Sequence, residues 1–448
     1  MEKLEDYVHQ HAIDSPDKTV VIYNDITISY AQLWAQVSDR CAQLEQDGVG
    51  KGTLYVFKAI PTHDFLVTYL ALHCLGAAAV PLEKDATDEN FHEIQSSLSH
   101  TTLEFSEDDP SENIADVLFT TGTTGARKGV MESNRAILVD AENLIYAQGF
   151  CSDTVFVICG PLNHIGSLSK LWPTLIVGGT IILLDGMKDL EQFFKALSYP
   201  QGKLATFMVP ASIRIVLQLG KDRLAQLSDR IDFIETGGAA LSQADMEALC
   251  QTLPHTRLYN TYASTETGIV CTYDFNHNPT IAGCVGQSMP HASVFITPNN
   301  TIACKGDTLM SGYLNDPLLT ASVLHDDTVF TEDLGEIDAA GNLHIKGRNN
   351  DVINIGGYKV SPEEVENAAL ACPGIKDCIC YHTVSPLFGE TIKLLYVVKE
   401  GSAIGKRDLA QFIASRLESY KVPRIFEQTD TIRHTYNGKL DRKYYSRL

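Results

Sequence analysis

Long uninterrupted apolar runs are missing from this sequence. The most apolar stretch, residues 66–82, holds His73 and several small residues and is too short and mixed for a membrane span. The opening Met1-Glu2-Lys3-Leu4-Glu5-Asp6 is acidic and has no apolar core, so no secretory leader is expected. Positive charge is scarce: 35 Lys+Arg face 56 Asp+Glu, a formal net charge of −21. A phosphate backbone would be repelled, which disfavours nucleic acid as a partner. The 11 cysteines are odd in number and lack framework spacing, so reduced thiols and a cytoplasmic location are expected. Cys378 and Cys380 would share one face of a strand and read as buried thiols rather than a metal site. Internal repeats and low-complexity segments are absent too.

What is present describes a soluble globular protein. The apolar fraction is 44% and the charged fraction 20%, which excludes disordered, collagenous and disulfide-scaffold classes. A length of 448 residues predicts two or more domains. Charge locates a boundary. Residues 348–448 carry 15 Lys/Arg and 12 Asp/Glu, a net of +3, while the remainder is −24. Polar punctuation at Gly347-Arg348-Asn349-Asn350-Asp351 falls at the same place. Two domains are expected, 1–347 and 348–448, with a hinge near Asn350.

Helical spacing at 30–44 and 65–75 alternates with strand-like runs at 53–59 and 78–82. This βαβ pattern predicts an α/β fold with a parallel sheet covered by helices. An acidic loop at 104–112 is expected to be solvated. In the second domain, Ser361-Pro362-Glu363-Glu364 reads as a helix start. Runs at 378–383 and 394–399 read as strands and 406–417 as a helix, giving a small α+β unit.

A strand at 115–119 runs into Thr120-Thr121-Gly122-Thr123-Thr124-Gly125-Ala126-Arg127-Lys128-Gly129. Glycines let backbone N–H groups converge on an anion, hydroxyls add donors, and Lys128 adds charge. The segment reads as a phosphate cradle, with a helix expected after it, capped by Ser133 or Asn134. The nucleotide-hydrolase P-loop needs Gly-Lys followed by Ser/Thr, and Lys128-Gly129 does not match it.

This loop resembles that of the adenylate-forming superfamily: acyl- and aryl-CoA synthetases of the 4-coumarate–CoA ligase kind, peptide-synthetase adenylation domains and luciferases. Arg127 stands where the family usually has Pro. Further motifs follow in family order. Pro161-Leu162-Asn163-His164-Ile165-Gly166 is similar to the acyl-pocket motif, and the resemblance places His164 beside the substrate carboxylate. No Asp or Glu lies between Gly160 and Trp172 to pair with a substrate ammonium, so an α-amino acid is disfavoured. Thr236-Gly237-Gly238-Ala239-Ala240-Leu241 resembles the adenine-binding turn, which implicates Gly238 and Ala239. Tyr262-Ala263-Ser264-Thr265-Glu266 resembles Tyr-Gly-x-Thr-Glu. It implies Tyr262 against adenine, Thr265 on the α-phosphate and Glu266 on Mg²⁺. Ala263 replaces Gly.

Thr331-Glu332-Asp333 is similar to Thr-Gly-Asp, with Asp333 implied for the ribose, Arg348 near ribose or phosphate, and Glu332 replacing Gly. Gly356-Gly357-Tyr358-Lys359 resembles the loop that admits a pantetheine arm past Gly357. Asn437-Gly438-Lys439-Leu440-Asp441-Arg442 resembles the terminal motif, whose lysine, Lys439, contacts carboxylate and α-phosphate. Residues 83–114 look shortened relative to the family.

The resemblance implies a large N-terminal body of sheets and helices with a small mobile C-terminal domain. It implies ATP-dependent activation of a carboxylic acid to acyl-AMP, with Mg²⁺, then thioester formation with coenzyme A. The small, neutral pocket residues suggest an aryl or short-to-medium acyl acid. Six residues follow Arg442, so a thiol acceptor in trans is expected. The alternatives are an acyl-AMP ligase that loads the phosphopantetheine of a separate carrier protein, a luciferase-like oxygenase, and an inactive nucleotide- or acyl-binding homologue.

Overall fold

The computed structural model describes every residue except 1–2, 25, 122–126, 356–357, 386–388, 436–437 and 447–448. Parallel strands dominate an eight-stranded sheet ordered Gly268–Asp274, Arg257–Ser264, Ile231–Gly237, Lys203–Phe207, Thr154–Ile158, Thr180–Leu183, Thr19–Tyr23, Ile26–Ser29. The six inner strands are parallel, and an antiparallel hairpin closes each edge. Thr154–Ile158 and Thr180–Leu183 are buried throughout, as parallel strands covered on both faces must be. Phe156, Ile158, Ile181 and Leu183 enter one core. Val155, Val157, Ile182 and Leu204 enter the other, the period-two alternation of a strand.

His73, the polar residue in the most apolar stretch, is fully buried with Asp116, its Nε2 lying 3.0 Å from the carboxylate. Tyr69 donates to the other Asp116 oxygen at 2.7 Å, and the Trp172 indole donates to Tyr69 at 3.0 Å.

A five-stranded sheet follows the order Gly312–Tyr313, Arg127–Ser133, Ile114–Thr121, Ala78–Leu82, Leu54–Lys58. Helix His63–Cys74 links its parallel pair Leu54–Lys58 and Ala78–Leu82, the expected βαβ unit. The phosphate segment is flanked by a strand pair that the sequence reading did not include: Ile114–Thr121 pairs antiparallel with Arg127–Ser133, Thr120 opposite Lys128. The expected helix follows as Asn134–Gln148, capped at Ser133, whose hydroxyl accepts from the Ala136 N–H. The acidic loop is solvent-exposed as expected, and two surface ion pairs lie along it, Lys51 to Glu107 at 2.5 Å and Arg135 to Glu112 at 2.7 Å.

A largely antiparallel third sheet contains Cys284–Gly286, Leu343–Arg348, Thr328–Ile337, Thr301–Gly306 and Ala292–Ile296. Beyond it, helices Pro362–Leu370 and Lys406–Ala414 cover a three-stranded sheet of Ile375–Ser385, Gly389–Val398 and Ile425–Gln428. This unit has its own core, from Ile353 to Ile413, which includes Cys378 and Cys380. Ser361 occupies the N-cap position, but its hydroxyl makes no capping bond. It faces Gly347 instead, where a Cβ would lie 2.7 Å from Ser361 Oγ.

Candidate active site

Strands Ile231–Gly237 and Arg257–Ser264 run parallel side by side, Gly237 opposite Thr261. In such a sheet, ligands sit beyond the carboxyl ends of the strands. Gly237 must be small: a Cβ there would lie 2.8 Å from the Thr261 carbonyl oxygen. Gly238 turns the chain at φ 76°, and a Cβ on it would lie 3.5 Å from Lys439 Cε and 3.9 Å from its Nζ. The terminal-motif lysine thus reaches from the small unit into the crevice of the body. Its neighbour Gly438 packs on Val209, 3.0 Å from Cγ2 to an added Cβ.

Burial pushes the Lys439 amine down, with Arg348 adding to the effect while Asp333 and Glu266 oppose it. Burial also pushes His164 down, to about 4, and Lys439 contributes. His164 Nδ1 accepts from the Gly166 N–H at 3.2 Å. In the neutral ring the proton is then on Nε2, available as a donor.

Asp333 accepts from the Tyr262 hydroxyl at 2.8 Å and from Arg348 Nε at 2.8 Å. Burial, then the Asp333 charge, holds the Tyr262 phenol well above its usual range. The turn after Tyr262 is knotted by Ser264 and Thr267, whose hydroxyls lie 3.0 Å apart. It presents Thr265 and Glu266. Glu266 Oε1 accepts from the Tyr313 hydroxyl at 2.9 Å, and Lys128 Nζ lies 5.3 Å from the centre of the Tyr313 ring. Among the described residues, no group of three or more His, Cys, Asp or Glu could hold a metal. A single carboxylate supplemented by nucleotide phosphates is a donor set that suits Mg²⁺, and Glu266 fits it.

The structure therefore brings together Lys439, Gly238, His164, Arg348, Asp333, Tyr262 and Glu266, with Lys128 joined through Tyr313. Thr120 flanks Lys128 on the hairpin, Thr265 adjoins Glu266, and Ala239 follows Gly238 on the exposed turn. The expectations for Gly122, Thr123, Thr124, Gly125 and Gly357 lie outside the described residues, as do the side chains of Thr121 and Asn350. Arg127, which replaces the family's Pro, reaches Glu83 at 3.8 Å. Glu332, which replaces Gly, accepts from Asn349 at 3.3 Å.

Three features have no counterpart in the sequence reading. Tyr313 is one. Another is the fully buried pair Lys170–Glu235 at 2.8 Å, beside Phe207, whose ring centre is 5.4 Å from Lys170 Nζ. A signal for it existed, because Lys170 is the only Asp, Glu, Lys or Arg in residues 161–184. The last is a bridge between body and tail, Arg214 to Asp377 at 3.6 Å and Asp377 to His434 at 3.5 Å.

Residues 8–105 and 94–314 match the family model described as AMP-binding enzyme, and residues 364–439 match AMP-binding enzyme C-terminal domain. A 2–succinylbenzoate–CoA ligase of Staphylococcus aureus is 30% identical over 389 residues, which cover 85% of this chain and 75% of that protein. The fold superposes on ATP-bound MatB from Rhodopseudomonas palustris with a TM-score of 0.88 at 22% identity, covering 99% and 98% of the two chains. It also matches the o-succinylbenzoate CoA synthetase MenE from Bacillus subtilis, in complex with the acyl-adenylate OSB-AMP, with a TM-score of 0.83 at 20% identity, covering 98% and 97%. The chain belongs to the AMP-binding enzyme family of the adenylate-forming superfamily.

Proposed function

We propose that this protein is an AMP-forming acid–thiol ligase that activates an aryl or short-to-medium carboxylic acid with ATP and passes the acyl group to coenzyme A. One observation carries the reading: a buried lysine of the small unit, Lys439, enters a crevice lined by Gly238, His164, Glu266, Asp333 and Arg348. A substrate carboxylate oxygen attacks the α-phosphorus, pyrophosphate leaves, and negative charge builds on the phosphate oxygens. Preorganised donors are most effective against such charge. Lys439, Thr265 and Lys128 would supply them, and the His164 Nε2 proton would orient the carboxylate. Mg²⁺ on Glu266 would neutralise phosphate charge when bound. Asp333 would exchange its contacts with Tyr262 and Arg348 for ribose hydroxyls. Withdrawal of Lys439 by rotation of the small unit about Asn350 would then clear the path for the thiol.

The succinylbenzoate ligases similar to this chain support an aryl acid and coenzyme A. A separate carrier protein would present the same thiol chemistry and is tested as the alternative acceptor. The free state of the eleven cysteines supports the cytoplasmic reading, and among the described residues no helix is long and apolar enough to cross a membrane.

The test is pyrophosphate release with ATP across aryl, fatty and amino acids, with coenzyme A or a carrier protein added. Aryl acids should release pyrophosphate, and coenzyme A should yield a thioester. Failure of every acid to release pyrophosphate would leave only a binding homologue. Lys439→Ala should slow adenylation by about 10²–10³-fold, the effect of losing one preorganised donor. Transfer from pre-made acyl-adenylate should be largely spared; equal loss in both steps would refute the role given to Lys439.

A further inference from the structure

We infer that Tyr313 is a positioning residue that orients the loop lysine and the metal-binding carboxylate and keeps the two from neutralising each other. The inference rests on the ATP- and Mg²⁺-dependent reading above.

Tyr313 is only 4% exposed, and the main chain places it between the two charges. On one side, Gly312 and Tyr313 pair with Met131 and Val130 of the strand that carries Lys128. Leu314 N–H donates to Gly129 O at 2.8 Å and Ser311 N–H to Met131 O at 2.8 Å. On the other side, Met310 N–H donates to the carbonyl oxygen of Glu266 at 3.1 Å. The side chain then makes the two contacts already noted: its hydroxyl donates to Glu266 Oε1, and its ring carries the Lys128 ammonium.

A lysine and a glutamate drawn to one phenol would pair directly if nothing stood between them. The pair would have to break before phosphate could take the ammonium or a metal the carboxylate. Among the described residues, no carboxylate lies within 4.0 Å of Lys128 Nζ. A ring face attracts the cation weakly, so a phosphate can take it over without stranding a charge. The hydroxyl occupies one Glu266 oxygen and fixes the carboxylate plane. The other oxygen has no protein donor among the described residues and can serve a metal.

Isothermal calorimetry of ATP binding to the full chain, with and without Mg²⁺, separates these roles. Tyr313→Phe keeps the ring and loses the hydroxyl. It should bind metal-free ATP within about twofold of wild type but lose about tenfold of the affinity gained from Mg²⁺, as expected for one hydrogen bond to a charged group. Tyr313→Leu also removes the ring, so metal-free ATP binding should fall about fivefold as well. In Glu266→Gln, adding Tyr313→Phe should change the Mg²⁺ gain little, because the hydroxyl acts through that carboxylate. Circular dichroism melting checks folding; a merely structural tyrosine would lower the midpoint and both ATP affinities together. A wild-type Mg²⁺ gain in Tyr313→Phe overturns the inference. Wild-type protein that binds no ATP in either condition overturns the ligase reading itself.

Discussion

His164 shows how one side chain carries the site's electrostatics into stability. Burial and then Lys439 push the ring down to about 4 in the folded chain, whereas an unfolded histidine titrates near 6.5. Above pH 6.5 neither state is protonated and there is no penalty. As pH falls from 6.5 to 4 the unfolded chain takes up a proton that the folded chain refuses, so stability declines by about 3 kcal/mol. His164→Gln should flatten that part of the pH dependence of the urea midpoint, and an unchanged slope would contradict a buried neutral ring. Residues such as Lys439, Glu266 and Asp333 were legible because each sits in a short chain-continuous pattern. Tyr313 was not, because its two partners come from segments about 47 and 185 residues away and no local spacing records such a meeting.

At the scale of elements, the parallel strands were readable from apolar runs and the helices from their spacing, but the strand Arg127–Ser133 was not. It contains Arg, Lys, Gly and Glu, all poor strand formers, and it is formed by pairing on both sides with Ile114–Thr121 and Gly312–Tyr313. Even Glu132 is buried there, its carboxyl pushed well up by desolvation first and by Asp140 next. The cap that ends this strand has a measurable consequence. Ser133 accepts from Ala136 N–H at 3.1 Å in a buried setting, so Ser133→Ala should cost about 1–2 kcal/mol. A urea-derived loss near zero would mean that another group satisfies that N–H.

Across the whole molecule, the placement of Lys439 depends on how the tail seats on the body. Arg214 is anchored to Asp245 at 3.0 Å and reaches Asp377 of the tail at 3.6 Å, with His434 behind it. Burial raises the Asp377 carboxyl, opposed by His434 and then Arg214. Asp377→Asn should loosen this seat, slowing adenylation about fivefold, the worth of about 1 kcal/mol for a partly buried pair. Transfer from pre-made acyl-adenylate should not slow. Separate assays of the two half-reactions decide it, and unchanged adenylation would show that other contacts hold the tail.

The amino-acid order alone determined the α/β character, the alternation of helix and strand, and the residue types capable of adenylate chemistry, because helix and strand periods and short motifs are local properties of a chain. Tertiary structure decided which of those groups face one another. It paired Ile114–Thr121 with Arg127–Ser133, buried Lys170 against Glu235, and set Tyr313 between Lys128 and Glu266. Those outcomes depend on packing between segments far apart in sequence, where burial and pairing outweigh local preference.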